Sequence, residues 1–225
     1  MGLLRSIALA IDKSISRAAN TFELTRGRIP PGACIAALWP HLAHDLIGQI
    51  EQDITIITGT NGKCTTSRFL AHILQQASHE TLHTEEVAAS MDEVTSILVQ
   101  ASNLQGVIRA RYGTFGFDPS MLYEAVNVCN PQLFILNNLY FDGLDFEGGP
   151  DALMQEWRRL FNTMTAEQHL LINADDPILC GGFVRGVPPR VTYFGVEDER
   201  LAIDSRAARF TRCHRCGTVL SYRLI

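Results

Sequence analysis

Apolar residues fall into short blocks whose spacing switches repeatedly between that of strands and that of helices. Ile54-Thr55-Ile56-Ile57-Thr58 is a β-branched run of strand length with no polar face, as a buried parallel strand requires. A glycine turn follows, then Cys64 to Ala77, where Phe69, Leu70, Ile73 and Leu74 form a helical stripe. Met91 to Ala101 has helical spacing and Arg111 to Phe117 strand character. Pro119 to Val126 is a helix with proline in its first turn, and Gln132 to Leu136 a strand. Asp151 to Met164 is a helix with Trp157, Leu160, Phe161 and Met164 on its core face. His169 to Asn173 reads as a strand, Asp176 to Cys180 as a short helix, and Arg190 to Phe194 as a strand. Strands alternating with helices predict an α/β fold, a doubly wound, mostly parallel sheet.

The flanks read differently. Leu4, Ile7, Ile11 and Ile15 recur at three- and four-residue steps with Lys13 and Arg17 turned away, an amphipathic helix suited to a core or a membrane surface. The apolar run Leu3 to Ile11 is too short to span a bilayer. Pro30-Pro31-Gly32 ends a linker that begins at Arg26, and Ala43 to Gln52 reads as a helix. After Asp198 the pattern dissolves into short polar pieces that end in Cys213-His214-Arg215-Cys216-Gly217. The expected division is an N-terminal helix and linker region over 1–52, a central domain over 53–205, and a terminal segment over 206–225.

Composition narrows the functional classes. Of 225 residues, 46% are hydrophobic and 19% charged, and the formal net charge is -5. A nucleic-acid surface would need clustered Lys and Arg, which this chain lacks. Its six cysteines (34, 64, 129, 180, 213 and 216) are too scattered for a disulfide scaffold and suit a reducing, cytoplasmic setting. His41, His44 and Asp45 sit at helical spacing, read as a solvated helix face rather than as metal ligands.

The chemistry concentrates in the turn Gly59-Thr60-Asn61-Gly62-Lys63. A strand, a glycine turn, a lysine and a helix together surround phosphate oxygens with backbone N–H groups, a helix dipole and a point charge. The spacing is not the common GxxxxGK[ST], because Ile stands at position 57. An ordinary βα turn carrying a chance lysine is the bland alternative.

The full string Thr58 to Lys63 resembles the TGTNGKTT loop of the Mur ligases, which use ATP to activate a carboxylate and couple it to an amine. Asn138-Leu139-Tyr140-Phe141-Asp142-Gly143-Leu144-Asp145 is similar to the family segment whose Asn and DxLD carboxylates line the nucleotide and metal site. Asn173-Ala174-Asp175-Asp176-Pro177 resembles the NADDP turn near adenine and ribose, and Tyr193-Phe194-Gly195 the strand that follows it. The resemblance implies an ATP site at Gly59, Thr60, Asn61, Gly62, Lys63, Cys64, Thr65, Asn138 and Asp175, with Asp142 and Asp145 as Mg²⁺ candidates.

The late Cys213-x-x-Cys216-Gly pair points to one branch, the Mur-ligase-type subunit of lipid II isoglutaminyl synthase, which carries a four-cysteine zinc ribbon there. That branch phosphorylates the α-carboxylate of D-glutamate in lipid II. Ammonia from a glutaminase partner then displaces phosphate to give D-isoglutamine. The resemblance thus implies a cytoplasmic protein working at the inner face of the membrane. The resemblance implies that Cys213 and Cys216 supply half of a Zn²⁺ site, with Cys180 a candidate third ligand; the expectation is no zinc, weak zinc or zinc shared with another chain, and a plain thiol pair is the alternative. The family's second cysteine pair and C-terminal domain would lie beyond Ile225 and are expected to be absent.

The departures fall where phosphoryl transfer needs side chains. Cys64 replaces the hydroxyl that holds Mg²⁺, and a thiol is a poor ligand for a hard cation. Gly116 falls on a family glutamate, Gly143 on a family His or Gln, and Thr84-Glu85-Glu86-Val87-Ala88-Ala89 on a basic, amide-rich substrate loop. Two readings follow: a ligase subunit, or a catalytically degenerate relative that binds nucleotide or a partner without ligase activity.

Overall fold

The computed structural model describes residues 39, 41–140, 149–183, 190–196, 213 and 216–220. Its elements, in chain order, begin with α1 (Leu42–Ile47), β1 (Ile54–Thr58), α2 (Lys63–Gln76), β2 (Thr81–His83), α3 (Met91–Ala101) and β3 (Tyr112–Phe117). A single 3₁₀ turn, Pro119–Met121, leads into α4 (Leu122–Cys129). Then come β4 (Leu133–Leu136), α5 (Gly149–Phe161), β5 (His169–Asn173), α6 (Pro177–Phe183) and β6 (Val191–Phe194). The N-terminal apolar segment lies outside the described residues.

The strands form one sheet in the order β2-β3-β1-β4-β5-β6, and every pairing is parallel. This is the doubly wound sheet that the strand–helix alternation predicts. The chain leaves β1 toward β2 on one side and later advances from β4 to β5 and β6 on the other. Right-handed crossovers therefore put α2 on one face and the later helices on the opposite face. The packing agrees: α2 lies on β1, β2 and β3, whereas α1 packs on α3 and α4, α4 on α5, and α5 on α6. β1 and β4 are neighbours whose outgoing connections part to opposite faces, so a crevice opens between their C-terminal ends.

Every residue of β1 is buried, in keeping with its β-branched run; the Thr58 hydroxyl is satisfied by donating to the Phe117 carbonyl at 3.0 Å. Against the inner face pack Phe115, Phe117, Phe134, Trp157 and Phe161, all essentially without solvent contact. Phe134 meets Phe161 edge-on at 5.3 Å, and the Trp157 indole N–H donates to the Pro119 carbonyl at 3.3 Å. The predicted stripe Trp157, Leu160 and Phe161 is core, with Met164 packed at its margin. His41, His44 and Asp45 are exposed on α1.

The apolar stripe of α2 is not its most buried face: Phe69 and Ile73 are 69% and 51% exposed, and Leu70 and Leu74 are half-buried. The buried stripe is instead Lys63, Ser67 and Ala71. Small and polar residues let α2 approach β3 closely. There the Ser67 hydroxyl donates to the Thr114 carbonyl at 2.8 Å and the Thr114 hydroxyl donates to the Ser67 carbonyl at 3.3 Å. A bulky stripe at 69 and 73 would hold the helix off and forfeit these bonds. The helix expected over Ala43 to Gln52 also stops early, at Ile47. Glu51 and Gln52 donate instead to the carbonyls of Ala110 and Arg111 at the entry to β3.

The end of α2 carries a conformational cost. Ser78 has φ +63° in the left-handed region, and the His79 N–H reaches back to the Leu74 carbonyl at 3.0 Å. This is the helix termination that glycine favours. Ser78→Gly is therefore expected to raise the unfolding free energy by about 1 kcal/mol in a denaturant titration.

Candidate functional site

The turn after β1 is bound at several points to the segment after β4. Thr60 N–H donates to the Asn138 carbonyl at 2.9 Å. Asn61 N–H donates to Asn138 Oδ1 at 2.8 Å, and Asn138 Nδ2 returns a bond to the Asn61 carbonyl at 3.1 Å. The Thr60 hydroxyl donates to the Tyr140 carbonyl at 3.1 Å and accepts from Tyr140 N–H at 2.8 Å. The two loops thus form a clamp at the crevice between β1 and β4.

Glycine is required at the start of this clamp. Gly59 has φ +142°, and a Cβ there would sit 2.6 Å from the Asn138 carbonyl oxygen. Gly62, at φ +81°, turns the chain into α2. Lys63 opens that helix and is buried, 6% exposed. Its ammonium donates to the carbonyls of Gly59 and Thr60, the latter at 2.9 Å. Burial holds the Lys63 pKa below the ordinary lysine value, with the negative charges of Asp118 and Cys64 offsetting part of that effect. A desolvated cation at a helix N-terminus, bonded among the described residues to carbonyl dipoles, is stabilised by an arriving anion. That is the electrostatic requirement of a phosphate site.

The other expected residues are placed as follows. Asp175 is exposed in the turn after β5, where it accepts from Val196 N–H at 2.9 Å. This turn is tied to the clamp, because Asn173 Nδ2 donates to the Asn137 carbonyl at 2.7 Å. Cys64 is half-buried on the first turn of α2 and Thr65 is exposed. The Thr66 hydroxyl accepts from Asn137 Nδ2 at 3.0 Å. Asp142 and Asp145, with Gly143 between them, lie outside the described residues.

The described donors do not fit a magnesium site. Mg²⁺ needs a near-octahedral set of oxygens. The first turn of α2 offers a thiol, an exposed hydroxyl and a hydroxyl already bonded. The Asp118 carboxylate accepts from Ser120 N–H at 3.0 Å and from the Ser120 hydroxyl at 2.7 Å. Gly116 stands on β3 facing Lys63: a Cβ there would lie 3.5 Å from Lys63 Cβ and 3.5 Å from Thr84 Oγ1. A side chain at position 116 would thus point at the head of α2, and none is present. Among the described residues, no three His, Cys, Asp or Glu side chains gather into a metal site.

Cys213 is hydrogen-bonded to the residues that follow Cys216. Gly217 N–H donates to the Cys213 carbonyl at 2.8 Å, Cys213 N–H to the Thr218 carbonyl at 2.8 Å, and Gly217 takes φ +71°. Cys180 directs its thiol at the carbonyls of Asn173 and Ala174, at 3.6 and 3.5 Å.

Three residues of the site carry little signal in the sequence. Asn137 bridges Thr66 and Asn173, Thr84 accepts from Gly116 N–H at 2.8 Å, and Asp176 accepts from Leu139 N–H at 2.7 Å. A doubled amide at a strand end marks Asn137, Thr84 opens the 84–89 segment and Asp176 is the second acid of the Asn173–Pro177 string, but none of these strings discloses the contact the residue makes.

The family model of the Mur ligase middle domain matches residues 57–222. The subunit MurT of lipid II isoglutaminyl synthase (glutamine-hydrolyzing) from Staphylococcus aureus (strain COL) is 24% identical over 212 residues, 94% of this chain and 46% of that protein. UDP-N-acetylmuramoylalanine--D-glutamate ligase from Halalkalibacterium halodurans is 26% identical over 57% of this chain and 26% of its own length. The chain thus spans less than half the length of these relatives. Among solved structures, MurF ligase from Thermotoga maritima in complex with ADP shares the fold, with a TM-score of 0.54 at 16% identity over 75% of this chain and 37% of that one. MurF from Acinetobacter baumannii gives the same TM-score at 16% identity over 68% of this chain and 34% of that one.

The two glycines near the head of α2 are expected to differ sharply on substitution. Gly59→Ala collides with backbone in a left-handed conformation and is expected to cost more than about 2 kcal/mol. Gly116→Ala meets only ordinary contacts and is expected to stay within about 1 kcal/mol of the parent. Thermal melts of the two variants check this.

Proposed function

The chain belongs to the Mur ligase middle-domain family, and from that premise we propose that its clamp at Gly59–Lys63 binds the phosphates of ATP in the service of lipid II amidation. The observation that carries the reading is the buried Lys63 ammonium, held among loop carbonyls at the N-terminus of α2. The backbone N–H groups of the turn and this one cation are enough to cradle phosphate oxygens, whatever stands at position 64.

The similarity to the MurT subunit supports the finer reading. In it, ATP phosphorylates the α-carboxylate of D-glutamate in lipid II, and ammonia from a glutaminase partner displaces the phosphate. Asp142 and Asp145 would be the carboxylates available to a Mg²⁺ ion. Cys213 and Cys216 would supply half the ligands of a structural Zn²⁺. The protein would work in the cytoplasm at the membrane face where lipid II is presented. Among the described residues, no helix is long and apolar enough to cross a membrane.

A second reading rests on a specific observation. Position 116 faces Lys63 without a side chain, and position 64 offers sulfur where a hard cation needs oxygen. On this reading the domain holds nucleotide without transferring its phosphoryl group.

Isothermal titration with ATP, with and without Mg²⁺, separates the two. The ligase reading expects Mg²⁺ to tighten binding at least about tenfold, through metal-bridged phosphates. The degenerate reading expects an affinity indifferent to Mg²⁺, and no ATP binding in either condition would leave only a structural or partner-binding role. Lys63→Ala is expected to weaken ATP binding by about 2 kcal/mol or more in either case, since it removes a buried charge–phosphate contact.

If lost ligands are the defect, returning them should restore turnover. Cys64→Thr combined with Gly116→Glu is expected to raise Mg²⁺-dependent ATP hydrolysis by about tenfold or more over the parent, measured as phosphate release. No gain from a folded double variant would mean that the fault lies elsewhere.

A further inference from the structure

Asp176 is 3% exposed, yet it is a carboxylate, and no cation among its described partners neutralises it. Its two oxygens are used in different directions. Oδ1 accepts from Ile178 N–H at 2.9 Å and from Leu179 N–H at 3.0 Å, capping the head of α6. Oδ2 accepts from Leu139 N–H at 2.7 Å, across 37 residues of sequence. Burial raises the carboxyl pKa, and the three N–H bonds, first from Leu139, pull it back toward the charged form. A helix cap alone would be served by serine or threonine with no charge to desolvate. The second oxygen is what a carboxylate adds.

Leu139 sits between Asn138 and Tyr140, the two residues that grip Thr60 and Asn61. We propose that Asp176 is a positioning residue for the phosphate loop: its Oδ2 fixes Leu139, so that Asn138 and Tyr140 meet the turn at Thr60 and Asn61, while its Oδ1 anchors the same carboxylate to α6. The nucleotide affinity it tunes rests on the reading above, in which this loop binds ATP; its effect on the empty loop does not. The same residue joins two walls of the crevice, because it belongs to the turn after β5, where the neighbouring Asp175 N–H donates to Asn173 Oδ1 at 2.9 Å. Loss of the Asp176–Leu139 bond would leave a buried N–H without its acceptor and free the 138–140 segment to shift.

Asp176→Ser separates the two oxygens, since a serine retains the cap of α6 but has no second oxygen to reach Leu139. Asp176→Asn keeps the size and sets an amide N–H₂ against one of the N–H donors. The experiment measures backbone amide exchange at Thr60 and Asn61 in the nucleotide-free protein, ATP affinity by titration, and both again in Asn138→Ala and in the double variant with Asp176→Ser. Exchange at Thr60 and Asn61 is expected to accelerate about tenfold in Asp176→Ser, with exchange in the middle of α2 unchanged. ATP affinity is expected to fall about tenfold, and the double variant to lose no more than Asn138→Ala alone, because both act through one clamp.

Unchanged exchange at Thr60 and Asn61, or losses that multiply in the double variant, would overturn the proposal. So would failure of both Asp176 variants to fold, which would make the carboxylate a requirement of the whole fold rather than of the loop. If exchange responds as expected but the parent protein binds no ATP, the nucleotide reading fails and the positioning role stands.

Discussion

The rest of the site depends on one exchange of hydrogen bonds, that between the Asn138 amide and the backbone of Asn61. A glycine-rich turn has little stiffness of its own, since its residues lose the most freedom when they are fixed. The sheet supplies the stiffness. β1 and β4 are adjacent and in register, and Asn137 N–H still donates to the Thr58 carbonyl where the strands end. The next residue of each loop is therefore delivered to the other at hydrogen-bonding distance. Gly59 must lack a side chain because this approach leaves no room for one. The clamp is in this sense a product of strand order: were β4 not beside β1, the turn would have no partner.

That dependence decides which features are legible in the sequence. β1 is legible because Ile54–Thr58 is buried on both faces, and a short apolar run with no polar side suits the middle of a parallel sheet. The Met91–Ala101 helix and the His169–Asn173 strand are legible from spacing alone. β2 is not, because three residues of intermediate burial hold no periodicity, and the strand exists only because the edge of β3 accepts it. The orientation of α2 is hidden for a related reason. Its apolar residues at 69 and 73 form a better stripe than Lys63, Ser67 and Ala71, yet the buried hydroxyl pair with Thr114 decides which side faces the sheet. Hydrophobic spacing cannot register a contact that works through hydroxyls and close approach.

The site divides along the same line. Gly59, Gly62 and Lys63 declare themselves because their roles are local to one turn. Asn137, Thr84 and Asp176 do not, because each bridges elements tens of residues apart. What a short string of residues can disclose is the loop that meets the ligand. What it omits is the set of buried polar groups that hold that loop still, which only the topology brings together.

The chemistry at the head of α2 then turns on charge rather than on shape. Lys63 is desolvated, and the groups bonded to it are carbonyls, with Asp118 and Cys64 acting on it only through their charge. A carboxylate at position 116 would set a negative charge beside the head of α2, where the helix dipole favours it. Its absence leaves the site more positive than one built with an acid there. A more positive cradle holds an anionic phosphate well without a metal, and for the same reason attracts a divalent cation less. On the proposed reading, the glycine at position 116 would separate nucleotide binding from catalysis: it keeps the part of the site made of backbone and lysine and withholds a group through which a metal could be drawn to the same phosphates.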